Sequence, residues 1–195
     1  MASAWHFNLV IVGLSVLVTW ALPTIAAAKA FYSKQEALAL AFPEAEHVET
    51  KTVFLTDDQV HHVSTLASAP VDSKLATIYV GRKAGQVLGY AFIETNVVRT
   101  LPETFLIVVS PTGTVQKLFV LAFYEPEEYT PSTRWLQQFD QKALTPTLQV
   151  RQDIHGIVGA TLSSRAITNG VRKVLSLFQV VVREGHQQVA EAAKQ

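Results

Sequence analysis

The chain has 195 residues, 16 Lys and Arg balanced by 16 Asp and Glu, and no Cys. The lack of Cys excludes disulfides, thiolate metal sites, iron–sulfur ligation and a Cys nucleophile. The charge balance gives no sign of the basic face that nucleic-acid binding requires, and the length suits one domain preceded by a leader.

Phe7 to Ala28 carries no Lys, Arg, Asp or Glu, and Leu9 to Leu22 within it is nearly all apolar. Ala28-Lys29-Ala30 puts small residues at the two positions a signal peptidase reads, which marks cleavage before Phe31. The same stretch is long enough to cross a bilayer uncleaved, as an anchor. Residues 1–30 are therefore expected to be a signal peptide or membrane anchor. Residues 31–195 are expected to form one domain in the periplasm or on the outer face of the cytoplasmic membrane.

Two capping boxes come next. Ser33-Lys34-Gln35-Glu36 opens a short helix that runs to Phe42-Pro43. Thr56-Asp57-Asp58-Gln59 opens a second, continued by Val60, Val63 and Leu66. The two helices are expected to pack on one side of a sheet. His61-His62 lies on the second helix. Adjacent helical residues point about 100° apart, so the pair lacks the geometry of a metal site and reads as helix surface.

Ala76 to Val80, Gln86 to Thr95, Thr104 to Ser110 and Thr114 to Tyr124 read as strands. Gly81 to Gly85 and Pro111-Thr112-Gly113 are turns, and Asn96 to Glu103 is a longer link that holds Arg99 and Pro102. Hairpin-length connections imply an antiparallel meander. Glu125-Pro126-Glu127-Glu128-Tyr129 then makes an acidic loop. Ser132 to Phe139 suits a short helix that buries Trp135, Leu136 and Phe139, and Lys142 to Val150 is an extended link to Asp153 and His155.

Gly156 to Ser164, read G-I-V-G-A-T-L-S-S, leads into the last helix. Ile167, Val171, Val174, Leu175, Phe178 and Val182 recur three or four apart, the spacing of one buried helical face. The helix is expected to begin near Ser163 or Ser164. A helix start leaves backbone N–H groups unpaired and carries partial positive charge. Gly159 and Ala160 allow a ligand close to the backbone there, and Thr161, Ser163 and Ser164 add hydroxyls. The chemistry suits an anion such as a phosphate; the same residues also suit a plain N-cap. The fold class is α+β: an antiparallel meander sheet flanked by short helices, with a C-terminal amphipathic helix. No catalytic acid–base or nucleophile set is visible, and a Ser hydrolase would need a G-x-S-x-G elbow.

Gly159-Ala160-Thr161-Leu162-Ser163-Ser164, followed by Arg165-Ala166-Ile167-Thr168, resembles the attachment motif of the FMN-binding domain family. That family includes flavoprotein subunits of Na+-translocating NADH:quinone reductases and Rnf-type complexes. The order of strands, turns and final helix is similar too. The resemblance spans roughly Phe31 to Val182 and implies that residues 31–195 are an FMN-binding domain. It also implies that a flavin transferase joins FMN to Thr161 through a phosphoester. Gly159, Ala160, Leu162, Ser163 and Ser164 would then surround the phosphate and ring. Glu125-Pro126 keeps a trace of the family's flavin-side loop, so Glu125 is a candidate flavin neighbour. Val158 stands where the family usually has Ser or Thr, and Asp153 lies further upstream than the family's Asp. The implied function is an exported electron carrier with redox partners in the membrane or periplasm. Two other readings compete: an exported binding or scaffold module that has lost covalent flavin, and a reductase with non-covalent FMN.

Overall fold

The computed structural model describes residues 29–71, 73–185, 187 and 191. The expected export segment, Phe7 to Ala28, lies outside them. The elements run β1 (Lys29–Ala30), α1 (Lys34–Ala41), β2 (His47–Phe54), α2 (Asp57–Ala67), β3 (Leu75–Lys83), β4 (Gln86–Val98), β5 (Leu101–Val109), β6 (Val115–Phe123), α3 (Thr133–Leu136) and α4 (Thr161–Leu177). α4 continues as a π-helical turn, Phe178–Arg183. Among the described residues no helix is long and apolar enough to cross a membrane.

Both capping boxes form. The Ser33 and Thr56 hydroxyls accept from the Glu36 and Gln59 N–H groups, and those side chains accept from the N–H of the cap residues in return. Each box satisfies two helix-start donors at once, which fixes where α1 and α2 begin. α2 ends at Ser68, which takes the left-handed φ of 54°.

The sheet is one antiparallel meander in the order β1-β6-β5-β4-β3-β2. Five strands carry it, and the two-residue β1 pairs onto the far side of β6. β3 and β4 meet through Ala84-Gly85, both at positive φ (48° and 78°), the conformation a tight hairpin needs. The expected long link between Asn96 and Glu103 is a tight hairpin instead. β4 and β5 pair through Val98 and Leu101, and Arg99 turns the chain at φ 54°. β2, which has no counterpart among the expected strands, pairs with β3 along the opposite edge.

The two faces of the sheet are covered differently. Phe105, Ile107 and Val109 on β5 pack with Tyr90, Phe92, Val63 of α2 and Ile167, Val171 and Val174 of α4. Leu106 and Val108, on the opposite face, pack with Ala37, Ala41 and Phe42. The expectation that both early helices share a side is therefore corrected: α1 covers one face, and α2 joins α4 on the other. Alternation along β5 separates the two cores, and coverage on both faces explains why its apolar run is nearly continuous.

Arg172 ties α4 to the rest of its layer. It is buried, and its guanidinium donates to the carbonyls of Ala67 (2.8 Å), Leu66 (2.9 Å) and Thr145 (2.7 Å). The first two are carbonyls at the end of α2, the negative pole of that helix. One side chain of α4 thus caps α2 and pins the link before Asp153.

Candidate functional site

α4 begins two residues earlier than its apolar face suggests. Thr161 is its first residue, and Ala160 is the N-cap, with no side chain capping the start. The first helical bond runs from the Ser164 N–H to the Ala160 carbonyl (3.0 Å). The N–H groups of Thr161, Leu162 and Ser163 therefore have no helical carbonyl to bind. Thr161 does not cap the helix. Its side chain is exposed, as is that of Leu162.

The turn into α4 is held from inside. The Ser164 hydroxyl is fully buried, accepts from the Ile157 N–H (2.8 Å) and donates to the Ala160 carbonyl (2.9 Å). Its bonding is directed to the turn. Gly159 has φ +81° with open space around it, so backbone conformation, not crowding, calls for glycine there. Val158 is almost wholly exposed beside it.

The helix start opens into a cavity of about 140 Å³ lined by Gly159, Ala160, Thr161, Leu162 and Ser163 together with Val98, Arg99, Glu125 and Tyr129. Five of the seven residues expected near a ligand line this cavity from the helix start, and Glu125 joins them from just beyond β6; Ser164 lies behind, holding the turn. Glu125 is buried, not a solvated loop residue, and its Oε1 has no hydrogen-bond partner. Arg99, in the β4–β5 hairpin, brings the cavity its cation.

Behind this wall lies Glu103, which sequence reasoning missed. It is fully buried, and neither carboxyl oxygen makes a hydrogen bond. Burial raises its pKa from the ordinary 4.5 to about 7; the nearby Ser163 hydroxyl pulls it down and the Glu125 carboxylate pushes it up. A signal was present in the chain. Glu103 is in phase with Phe105, Ile107 and Val109, so strand alternation points it inward. Glu94 shares that face; burial raises its pKa, and the Lys173 ammonium beside it opposes the rise.

Other candidates sit elsewhere. Trp135 donates through Nε1 to the His155 carbonyl (2.7 Å) and packs edge-on against Phe139, 5.5 Å between ring centres. The His155 N–H donates to the Gln138 side chain, so the backbone of His155 joins two structural bonds. Asp153 accepts from the Thr147 hydroxyl (2.9 Å), within its own loop. His62 lies 3.8 Å from a Glu184 carboxyl oxygen, on the surface. Among the described residues, no group of three or more His, Asp or Glu is placed to hold a metal ion.

The cavity lining is mostly polar, with a cation at Arg99 and a buried carboxylate at Glu125. The unpaired N–H groups and Arg99 suit an anion at the helix start, while Leu162 and Val98 add apolar lining. Residues 101–176 match the family model described as the FMN-binding domain. That stretch runs from the first residue of β5 into the last turn of α4 and contains Glu103, Glu125 and the whole helix start. No curated protein matches the chain.

Proposed function

We propose that this chain, a member of the FMN-binding domain family through residues 101–176, is an exported electron carrier that holds FMN covalently on Thr161. FMN is its cofactor, and it is an FMN-binding flavoprotein. FMN supplies the redox chemistry when bound; the chain supplies attachment and surroundings.

One observation carries the attachment reading. Thr161 is exposed at the first position of a helix that no side chain caps. Its hydroxyl is free of a capping role, and the N–H groups of Leu162 and Ser163 are left for a phosphate. The fit extends to the walls. Arg99 offsets the phosphate charge on the outer side. Leu162 and Val158 present apolar surface that a flavin ring would cover. A phosphoester also prevents loss of FMN outside the cytoplasm, where it could not be replaced. The acceptor role of Thr161 needs a flavin transferase as partner, and the carrier role needs redox partners in the membrane or periplasm.

Co-expression of the exported protein with a bacterial flavin transferase tests this. Fluorescence should survive denaturing electrophoresis and map by peptide mass to the segment containing Thr161. Thr161→Ala should remove it and leave the fold intact. Flavin still attached to the variant would rule out this acceptor. A native yellow protein whose denatured band is dark would replace the phosphoester by non-covalent FMN, as in a reductase.

A further inference from the structure

We propose that Glu103 is the proton-holding residue of the flavin pocket, acting through Ser163 and Glu125 so that an anion in the pocket and a proton on Glu103 favour one another. The inference rests on reading the cavity as a phosphate site.

Among the described side chains, no cation pairs with Glu103. Asn96 stands opposite it on β4 and Phe123 on β6. The Asn96 Nδ2 is itself buried without a partner, so it does not bond the carboxyl. From α4 the Ser163 hydroxyl approaches, and from beyond β6 the Glu125 carboxylate. Lys173, further along α4, is engaged by Glu94, and Arg172 by the carbonyls of α2. Arg99 is exposed on the outer wall of the cavity. An ionised Glu103 would therefore be a buried charge without compensation, which is costly, and the carboxyl keeps its proton instead.

Ser163 and Glu125 separate Glu103 from the cavity, and both line it. Glu103 is thus a positioning residue: it stands behind the cavity lining and acts through the charge and hydroxyl of the two groups that form it. When it holds a proton, the inner wall carries one negative charge fewer. A phosphate at the helix start adds negative charge beside Glu125 and strengthens the hold on that proton. Coupling of this kind is reciprocal. Loss of the proton should weaken phosphate binding about tenfold, within the usual range of site-to-site coupling.

The test is carbon-13 NMR of the protein labelled at the glutamate side-chain carboxyl, titrated with and without flavin. In the flavin-free protein one glutamate should titrate near pH 7. Its signal should vanish in Glu103→Gln, and its midpoint should fall in Glu125→Gln, which removes the neighbouring charge. Attached FMN should raise the midpoint, and so should inorganic phosphate added to the flavin-free chain. A Glu103 that titrates in the ordinary carboxylate range overturns the proposal. So does a midpoint that neither FMN nor phosphate moves. Failure to attach flavin counts separately, against Thr161 as acceptor, because the phosphate titration does not depend on it.

Discussion

Glu103 sets the pH dependence expected at the scale of single residues. Its carboxyl titrates at 4.5 when exposed and at about 7 in the fold. Below pH 4.5 Glu103 is protonated in both states, and its burial costs no stability through ionisation. Between 4.5 and 7 the unfolded chain has released a proton that the native state still binds, so stability falls as pH rises. Above 7 the native group is ionised too, and the loss levels off at on the order of 3 kcal/mol. Glu36, Glu44 and Glu49 work in the opposite sense. Hydrogen bonds from Ser33, Lys83 and Arg82 lower their pKa values, so what they contribute is lost below 4.5, outside this window. Glu103→Gln should therefore be more stable than the parent at pH 8 and should lose less stability between pH 5 and 8. Urea unfolding at the two pH values decides it; parallel curves for parent and variant would sink the idea. Thr161 stood out in the sequence because a motif surrounds it, and the structure places it at the start of α4. Glu103 belongs to no motif. It shows only as an acid on the inward phase of an apolar strand, a signal that needs the strand to be placed first.

Among the elements, the strands that bury most side chains were the ones a reader of the chain could find. β5 shows a long apolar run because α1 covers one of its faces and α4 the other. β2, His-Val-Glu-Thr-Lys-Thr-Val-Phe, is an edge strand with no fully buried residue, so neither alternation nor an apolar run marks it. The start of α4 was hidden for a related reason. Its first turn faces the cavity, not the core, and so it carries no apolar periodicity. Arg172 adds to the apolar packing of Val63 a set of hydrogen bonds that ties the end of α2 to α4, which no apolar pattern reveals. A buried Arg that donates only to carbonyls and a hydroxyl holds two elements together by hydrogen bonds alone. Arg172→Met keeps much of the bulk and leaves the Leu66 and Ala67 carbonyls without their donor. The expected cost is about 3 kcal/mol, since buried groups left unpaired carry the full desolvation penalty. Hydrogen exchange should quicken at the end of α2 before it does in β5. A loss below about 1 kcal/mol would show that water replaces the guanidinium there.

For the whole molecule, the matched stretch is narrower than the folding unit. Residues 101–176 contain β5, β6, α3 and nearly all of α4. The core beneath α4 also needs Ile78 and Val80 of β3, Tyr90 and Phe92 of β4, and Val63 of α2. Cutting the chain at Leu101 would split the β4–β5 hairpin and turn β5, the most buried strand, into a bare edge. The cut would also remove Val98 and Arg99 from the cavity wall and leave Arg172 without Leu66 and Ala67. The motif at the start of α4 is thus a local sequence feature that depends on a non-local frame. A fragment of residues 101–176 is expected to show no cooperative unfolding transition and no dispersed amide spectrum. A fragment of residues 29–185, which keeps every strand, should show both. The comparison extends to flavin. If the proposed attachment holds and a transferase reads only the motif, it should label both fragments. If it reads the folded helix start, it should label only the longer one. A short fragment that folds cooperatively on its own would mean that β5, β6 and α4 carry a sufficient core, and that β3, β4 and α2 are additions to it.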